Sequence, residues 1–201
     1  MAIPLGEELL ALEGIYLAGA GQEEAGGAVV APPHPLYGGS MDSPVVNEVA
    51  HACRRAGLAS LRFNWRGVGA SVGEPSGEAD DADADTTAAL LELEGTVAGP
   101  LLVAGYSFGA LAALRCAAGR PRVRRLLLVS PPPAALDAAA LRGFGGPVLV
   151  VTGERDEIAT PSGLQILAGD HPRARLHVVP EADHFYGTGL ADVARAVERW
   201  L

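Results

Sequence analysis

The chain has 201 residues, of which 49% are apolar and 19% are charged, a composition typical of a globular protein with a sizeable core. Its formal net charge of -9 disfavours nucleic acid or an anionic membrane as a partner, because both demand a basic face. The N-terminal residues lack the basic and apolar segments of a signal peptide, and no uninterrupted apolar run approaches the ~18 residues of a membrane span, so we expect a cytoplasmic protein.

The first part of the chain predicts strands followed by a helix. Residues 8–17 favour an opening pair of strands, with Glu13-Gly14 as the turn between them. Residues 27–31 (GAVVA) are typical of an apolar strand, and the prolines that follow end it. Ser43-Pro44 then provides a helix N-cap with proline at the first helical position. Apolar side chains recur at helical spacing after it until Gly57 ends the helix.

The remainder of the chain alternates between apolar strands and helices. Strands are predicted at 58–63, 100–104, 125–129, 147–151 and 175–179, and helices at about 79–94, 110–116, 133–141 and 190–201. This alternation indicates an α/β fold in which a mostly parallel sheet is covered by helices on both faces. We find no internal repeat or linker and expect one domain over residues 1–201. In such sheets the ligand site lies at the carboxyl ends of the strands.

The strongest signal for chemistry is the sequence GYSFG at residues 105–109. An apolar strand precedes it and a helix follows, so Ser107 falls on a strand-to-helix turn. A serine between two glycines on such a turn can hold a strained backbone with its hydroxyl exposed, because the glycines leave room that a Cβ would obstruct. The pattern therefore predicts Ser107 as a nucleophile.

A serine hydroxyl needs a base to take its proton and a third group to orient that base. Of the five histidines, His184 is the one that lies both after Ser107 and in a loop at a strand's carboxyl end. Imidazole titrates near neutral pH and suits a general base. Asp156, in the loop after the strand at 147–151, is the expected orienting acid. The alternative carboxylates nearby are Glu154, Glu157 and Asp183.

The oxyanion that forms during acyl transfer needs two preorganised donors. The amide of Phe108 is predicted as one of them, because it opens the helix after the nucleophile and lies at the positive end of the helix dipole. The second donor is expected from the loop after residues 27–31. The prolines of this loop have no N–H, which leaves Leu36 or Tyr37, and we favour Leu36 because it follows the His34-Pro35 step. The His34 side chain is expected to brace the loop.

Other polar groups have structural interpretations. Arg66 is expected to brace the glycine-rich loop 64–77, with a substrate carboxylate as its alternative partner. The acidic residues that open the next helix complement its dipole, and no histidine or cysteine joins them to make a metal site. These acidic residues are Asp80, Asp81, Asp83 and Asp85. Cys53 and Cys116 fall on predicted helices and are expected to be buried thiols.

Together these features resemble the α/β-hydrolase superfamily over nearly the whole chain. The segments around Ser107, Asp156 and His184 match its three triad motifs in order. Residues 34–42 (HPLYGGSMD) and 61–71 (LRFNWRGVGAS) resemble a small, bacterial, dienelactone-hydrolase-like branch of esterases without a cap domain. The chain departs from dienelactone hydrolase in carrying serine where that enzyme has its cysteine nucleophile.

The resemblance implies a serine hydrolase that cleaves small carboxylic esters through an acyl-enzyme, without a metal or organic cofactor. Larger relatives insert a cap between the sixth and seventh strands, where this chain has only residues 130–146, so we expect a shallow, open site. The residues predicted to line it are Tyr37, Trp65 and Tyr186, with Phe108 and Leu36 as further candidates. A thioesterase, a peptidase-type acyl hydrolase and a non-catalytic binding protein on the same fold are the alternatives.

Overall fold

The computed structural model describes residues 1–5, 11–20 and 26–201, and a sheet of eight strands runs through this part of the chain. The strands are β1 (Ala2–Pro4), β2 (Ala11–Leu17), β3 (Gly27–Ala31), β4 (Ala59–Phe63), β5 (Leu101–Tyr106), β6 (Val123–Val129), β7 (Val148–Gly153) and β8 (Ala174–Val179). Their order across the sheet is β1-β2-β4-β3-β5-β6-β7-β8. β2 pairs antiparallel with β1 and with β4, and every later pair in this order is parallel.

Helices cover both faces of the sheet. Those of the described residues are α1 (Pro44–Arg55), α2 (Ala79–Thr96), α3 (Phe108–Ala117), α4 (Ala138–Gly143), α5 (Pro161–Gly169) and α6 (Leu190–Trp200). Helices α2 to α5 pack on one face, and α1 and α6 pack on the other. None of the six is long and apolar enough to cross a membrane. The two helical layers around a mostly parallel sheet confirm the predicted α/β class.

The central strand β3 shows why the strands are apolar without interruption. All five of its residues are buried. Side chains alternate along a strand, so Val29 enters the layer of α2 to α5 while Ala28 and Val30 enter the layer of α1 and α6. Burying a valine side chain in such a core stabilises the fold by about 1.5–3 kcal/mol.

The predicted turn at Glu13-Gly14 is wrong. Both residues lie within β2, where Gly14 pairs with Phe63 of β4. A Cβ on Gly14 would come within 2.7 Å of Ile3 Cδ1, so this glycine serves close packing against β1 and not a turn. The first strand of the predicted opening pair begins at residue 8, which lies outside the described residues. The structure instead places the first strand at Ala2–Pro4.

Two helices differ from the sequence prediction. The segment predicted at 133–141 becomes helical only from Ala138, where the side chain of Asp137 accepts hydrogen bonds from the first turn. Helix α5 was not predicted at all, although Thr160 caps it and Pro161 opens it. Only Leu164 and Ala168 of this helix are buried, so its apolar periodicity is weak.

The cysteines are buried and unpaired, as predicted. Cys53 lies in α1 and Cys116 in α3, on opposite sides of the sheet. Burial raises the pKa of the Cys53 thiol to about 12, so it stays protonated at neutral pH.

Candidate active site

The GYSFG motif forms a sharp turn between β5 and α3. Ser107 adopts φ 55° and ψ -116°, a conformation that non-glycine residues rarely hold, and its amide donates to the carbonyl oxygen of Val129 at 2.8 Å. A Cβ on Gly105 would overlap the carbonyl oxygen of Gly109, and one on Gly109 would overlap the carbonyl oxygen of Pro32. Glycine at both positions therefore lets the chain reverse tightly enough to present the serine.

The structure brings together the three side chains predicted to act in series. Ser107 Oγ lies 3.0 Å from Nε2 of His184. Nδ1 of the same ring lies 3.0 and 2.9 Å from the two carboxylate oxygens of Asp156. Both His184 and Asp156 are buried, so the hydrogen-bonded chain is shielded from solvent except at the serine.

The Asp156 carboxylate is held by its own loop. Oδ1 accepts the amides of Ile158 at 3.0 Å and Ala159 at 2.6 Å. Burial acts to raise the pKa of Asp156, but hydrogen bonds from His184, from the Ala159 amide and from the Ser130 hydroxyl outweigh it and lower the pKa. The carboxylate is thus ionised at neutral pH, and it can accept the Nδ1–H of His184.

The alternative acids, Glu154, Glu157 and Asp183, make no hydrogen bond to His184. Asp183 Oδ1 accepts the amide of Phe185 at 3.0 Å and makes no hydrogen bond to the neighbouring imidazole. Glu154 accepts the amide of Glu181. Glu157 is exposed. Among the carboxylates of the described residues, Asp156 is therefore the one bonded to His184.

A buried layer of hydroxyl groups lies behind the hydrogen-bonded series of Ser107, His184 and Asp156, and no sequence pattern predicted it. Tyr106 donates its phenolic proton to the carbonyl oxygen of His184 at 2.6 Å, and the hydroxyls of Tyr186 and Ser130 are 2.9 Å apart. Tyr186 is only 2% exposed. Its predicted contact with substrate is therefore wrong, because its ring lies inside the core and supports the loop that carries His184.

Trp65 is also displaced from its predicted role. Its side chain is 1% exposed, and its indole N–H donates to the carbonyl oxygen of Pro33 at 2.8 Å. The ring packs edge-on against Phe63 and Phe108. Trp65 therefore fixes the loop after β3 from below and does not line the cavity.

The second predicted oxyanion donor needs correction. The Leu36 amide already donates to Nδ1 of His34 at 3.2 Å, and the Tyr37 amide donates to the His34 carbonyl oxygen at 3.1 Å. Both amides are used inside a 3₁₀ turn at Pro35–Tyr37. His34 braces this turn as predicted, and burial lowers the pKa of its ring. In the described part of the chain, the amides of His34 and Phe108 donate no hydrogen bond.

Arg66 braces its loop as predicted, and its partners are acidic residues at the start of α2. Its guanidinium donates to Asp85 at 2.8 and 3.0 Å and also contacts Asp81. Asp83 pairs with Arg115. Burial raises the pKa of Asp85 even though Arg66 opposes that shift. Asp81, Asp83 and Asp85 thus form ion pairs with arginines. Among the described residues there is no group of three or more side chains that could bind a metal ion.

A cavity of about 850 Å³ opens above Ser107. Its walls are the loop after β3, the start of α1, and residues of the loops after β6, β7 and β8. The lining side chains are Pro33, His34, Tyr37, Ser43, Pro44, Tyr106, Ser107, Phe108, Leu111, Pro132, Ile158, His184 and Phe185. Tyr37 and Phe108 line it as predicted, whereas Leu36 does not. The volume is within the range of small-molecule sites, and the connection at 130–147 holds only α4 and no cap domain, as expected.

Comparison with known proteins places this site in a family. A family model described as an alpha/beta hydrolase domain matches residues 37–192, which include Ser107, Asp156 and His184. An uncharacterized protein of Rickettsia prowazekii is 30% identical over 200 residues, which cover 94% of this chain and 84% of the relative.

Two solved structures are similar over the whole chain. An alpha-beta serine hydrolase homologue from Coxiella burnetii is 28% identical, with a TM-score of 0.90 and 96% of its length covered. A serine hydrolase without a lid from Xanthomonas campestris is 30% identical, with a TM-score of 0.80 and 94% of its length covered. The chain belongs to the α/β-hydrolase family, and within it to the small members that have no cap domain.

Proposed function

We propose that the protein is a serine hydrolase that cleaves carboxylic esters through an acyl-enzyme. The observation that carries the proposal is the unbroken series of hydrogen bonds from Ser107 through His184 to Asp156. A serine held at positive φ beside an oriented imidazole is the arrangement that nucleophilic acyl transfer requires.

The protonation states follow from the hydrogen bonds. An ionised Asp156 can only accept, so the ring proton of neutral His184 lies on Nδ1 and leaves Nε2 free to act as a base. Nε2 takes the proton from Ser107 as Oγ forms a bond to the carbonyl carbon of the ester. The bond to the alcohol oxygen then breaks, and Nε2 returns the proton to that leaving group. Water attacks the acyl-enzyme by the same route, and the carboxylic acid leaves.

The oxyanion is assigned to the amides of Phe108 and His34. Phe108 opens α3, where the helix dipole favours negative charge. His34 lies beside it, since the two rings are 4.5 Å apart, and both residues line the cavity above Ser107. Two amides without another acceptor, next to the nucleophile, are what a developing negative charge on the carbonyl oxygen needs.

Replacing Ser107 with alanine tests the proposal. Hydrolysis of p-nitrophenyl acetate should lose on the order of 10⁶ in kcat, because the three residues act as a unit. Ser162→Ala is the matched control, since Ser162 is an exposed serine on α5 that does not line the cavity. A Ser107→Ala protein that is folded and retains more than about a tenth of the wild-type rate would overturn the assignment.

A further inference from the structure

The described side chains that line the cavity above Ser107 include no permanently charged group. Among the described residues that line it there is no aspartate, glutamate or arginine. Its titratable side chains are His34, His184 and the two phenols of Tyr37 and Tyr106. Burial lowers the pKa of His34, and Nδ1 of that ring accepts the Leu36 amide, so His34 is neutral. An anionic substrate group would lose its hydration in this cavity without gaining a cationic partner.

The charged residues directly next to the lining residues in the chain are all acidic. Asp42 precedes Ser43, Glu157 precedes Ile158, and Asp183 precedes His184. All three carboxylates are in exposed residues. They would repel an anionic substrate, as would the net charge of -9.

The arginines nearest in the chain to the active-site loops are already paired. Arg155 contacts Glu181 in the loop after β8, and Arg66 is held by Asp81 and Asp85. Neither guanidinium lines the cavity. The described structure thus offers no cation within the cavity to bind a carboxylate or a phosphate.

The mouth of the cavity is aromatic and apolar. Tyr37 is 87% exposed, Phe185 is 72% exposed and Ile158 is 51% exposed, although large apolar side chains are usually buried. The ring of His34 is tilted against the ring of Tyr37 at a centroid distance of 4.8 Å and against that of Phe108 at 4.5 Å. Such rings favour an edge-to-face or offset contact with another aromatic ring.

We propose that the substrate is an ester that has no anionic group near the reacting carbonyl and carries a bulky apolar group, aromatic by preference, next to it. This inference rests on the proposed ester hydrolysis and deepens it. It excludes esters with a carboxylate or phosphate close to the carbonyl.

A matched pair of substrates, which differ in a single carboxylate, tests the preference against an anionic group. The neutral ester is p-nitrophenyl phenylacetate, and its charged counterpart is p-nitrophenyl 4-carboxyphenylacetate at pH 7.5. The kcat/KM of the neutral ester should exceed that of the charged one by about 100-fold, because the carboxylate is desolvated without a partner. A ratio below about ten would overturn the inference. The measurement uses wild-type protein and needs no variant to fold.

A second experiment places a positive charge at the mouth of the cavity. Ile158→Arg should raise kcat/KM for the carboxylated ester by about tenfold. The ratio of kcat/KM for the neutral ester to that for the carboxylated ester should fall by the same factor. Ile166→Arg is the matched control, because Ile166 is 71% exposed on α5 and does not line the cavity, and its ratio should stay at the wild-type value. An unchanged ratio in a folded Ile158→Arg protein would contradict the assignment of this cavity to the substrate.

The outcomes also separate the two proposals. If Ser107-dependent hydrolysis of p-nitrophenyl acetate is present but the matched esters react equally, only the substrate preference fails. If wild-type protein hydrolyses none of the three esters, the proposed function fails and the preference fails with it.

Discussion

The hydroxyl of Tyr186 lies 2.9 Å from the hydroxyl of Ser130, and both residues hold positive φ angles of 53° and 44°. Ser130 follows β6 and stabilises the ionised Asp156, while Tyr186 follows His184 by two positions. The pair therefore links the loop after β6 to the loop that carries the base. Non-glycine residues with positive φ are costly, and the other two in the described chain, Ser107 and Glu181, also follow strands at this edge of the sheet.

Removing the Tyr186 hydroxyl should slow the reaction without weakening substrate binding. Tyr186→Phe keeps the buried ring but removes the hydrogen bond to Ser130, which costs about 1 kcal/mol and corresponds to roughly a five- to tenfold lower kcat. KM should change little, because Tyr186 does not line the cavity. Steady-state kinetics check this, with Tyr16→Phe on β2 as the control. A change confined to KM would contradict the positioning role.

Asp156 should contribute to stability in a pH-dependent way. Its pKa is lower in the folded protein than the ~3.9 of an unfolded aspartate, so its contribution is complete above that value and is lost as pH falls through the folded pKa. Asp156→Asn cannot titrate. The free energy of unfolding of this variant should therefore be about 1–3 kcal/mol below wild type at pH 7, and the gap should shrink below about pH 4.

Urea denaturation from pH 7 to pH 2 measures this gap. Asp42→Asn, which changes an exposed carboxylate, is the control. A gap that stays constant or widens in acid would show that the Asp156 carboxylate is not stabilised by the hydrogen bonds assigned to it.

Gly109 should tolerate no side chain. A Cβ there would overlap the carbonyl oxygens of both Ala31 and Pro32, which are backbone atoms that cannot rotate away. Gly109→Ala should therefore destabilise the protein by about 3 kcal/mol or prevent folding, because β3 and α3 must separate.

Gly95 gives the matched comparison for thermal unfolding. It lies in α2 with open space around its Cα, so Gly95→Ala should stabilise the protein by about 0.5–1 kcal/mol. Equal shifts in Tm for the two variants would contradict the close approach of Gly109 to the end of β3.

The His34 side chain should matter as a hydrogen-bond acceptor. His34→Ala removes the acceptor of the Leu36 amide and the ring packed on Phe108, so the turn that positions the His34 amide loosens. We expect kcat to fall about tenfold. His34→Asn supplies a side-chain oxygen that can accept the amide two residues later, and it should recover part of that loss. An asparagine variant no better than alanine would show that the acceptor is unimportant.

Local signals account for what the sequence could predict. Continuous apolar runs marked the inner strands, and a serine between two glycines marked the strand-to-helix turn at residues 105–109. His184 and Asp156 could be chosen because both follow strands at the edge where a parallel sheet places its ligand site. Their spacing in the chain did not reveal the distances, which arise only when β7 and β8 pair beside β6.

The errors have a common physical origin in contacts between distant segments. Ser130 and Tyr186 are 56 positions apart, and no local pattern shows that their hydroxyls meet. Trp65 was expected in the cavity, but the Pro33 carbonyl offers its indole a partner inside the core. The choice of Leu36 failed because the 3₁₀ turn consumes that amide, and the availability of an amide depends on backbone angles.

The most direct test of the central claim is mass spectrometry of the intact and digested protein after exposure to a small fluorophosphonate. An activated serine displaces fluoride and forms a stable phosphonyl ester. We predict one adduct, located on Ser107 and abolished by Ser107→Ala. Folded wild-type protein that forms no adduct, or that carries its adduct on another residue, would contradict the assignment of Ser107, His184 and Asp156 as the catalytic centre.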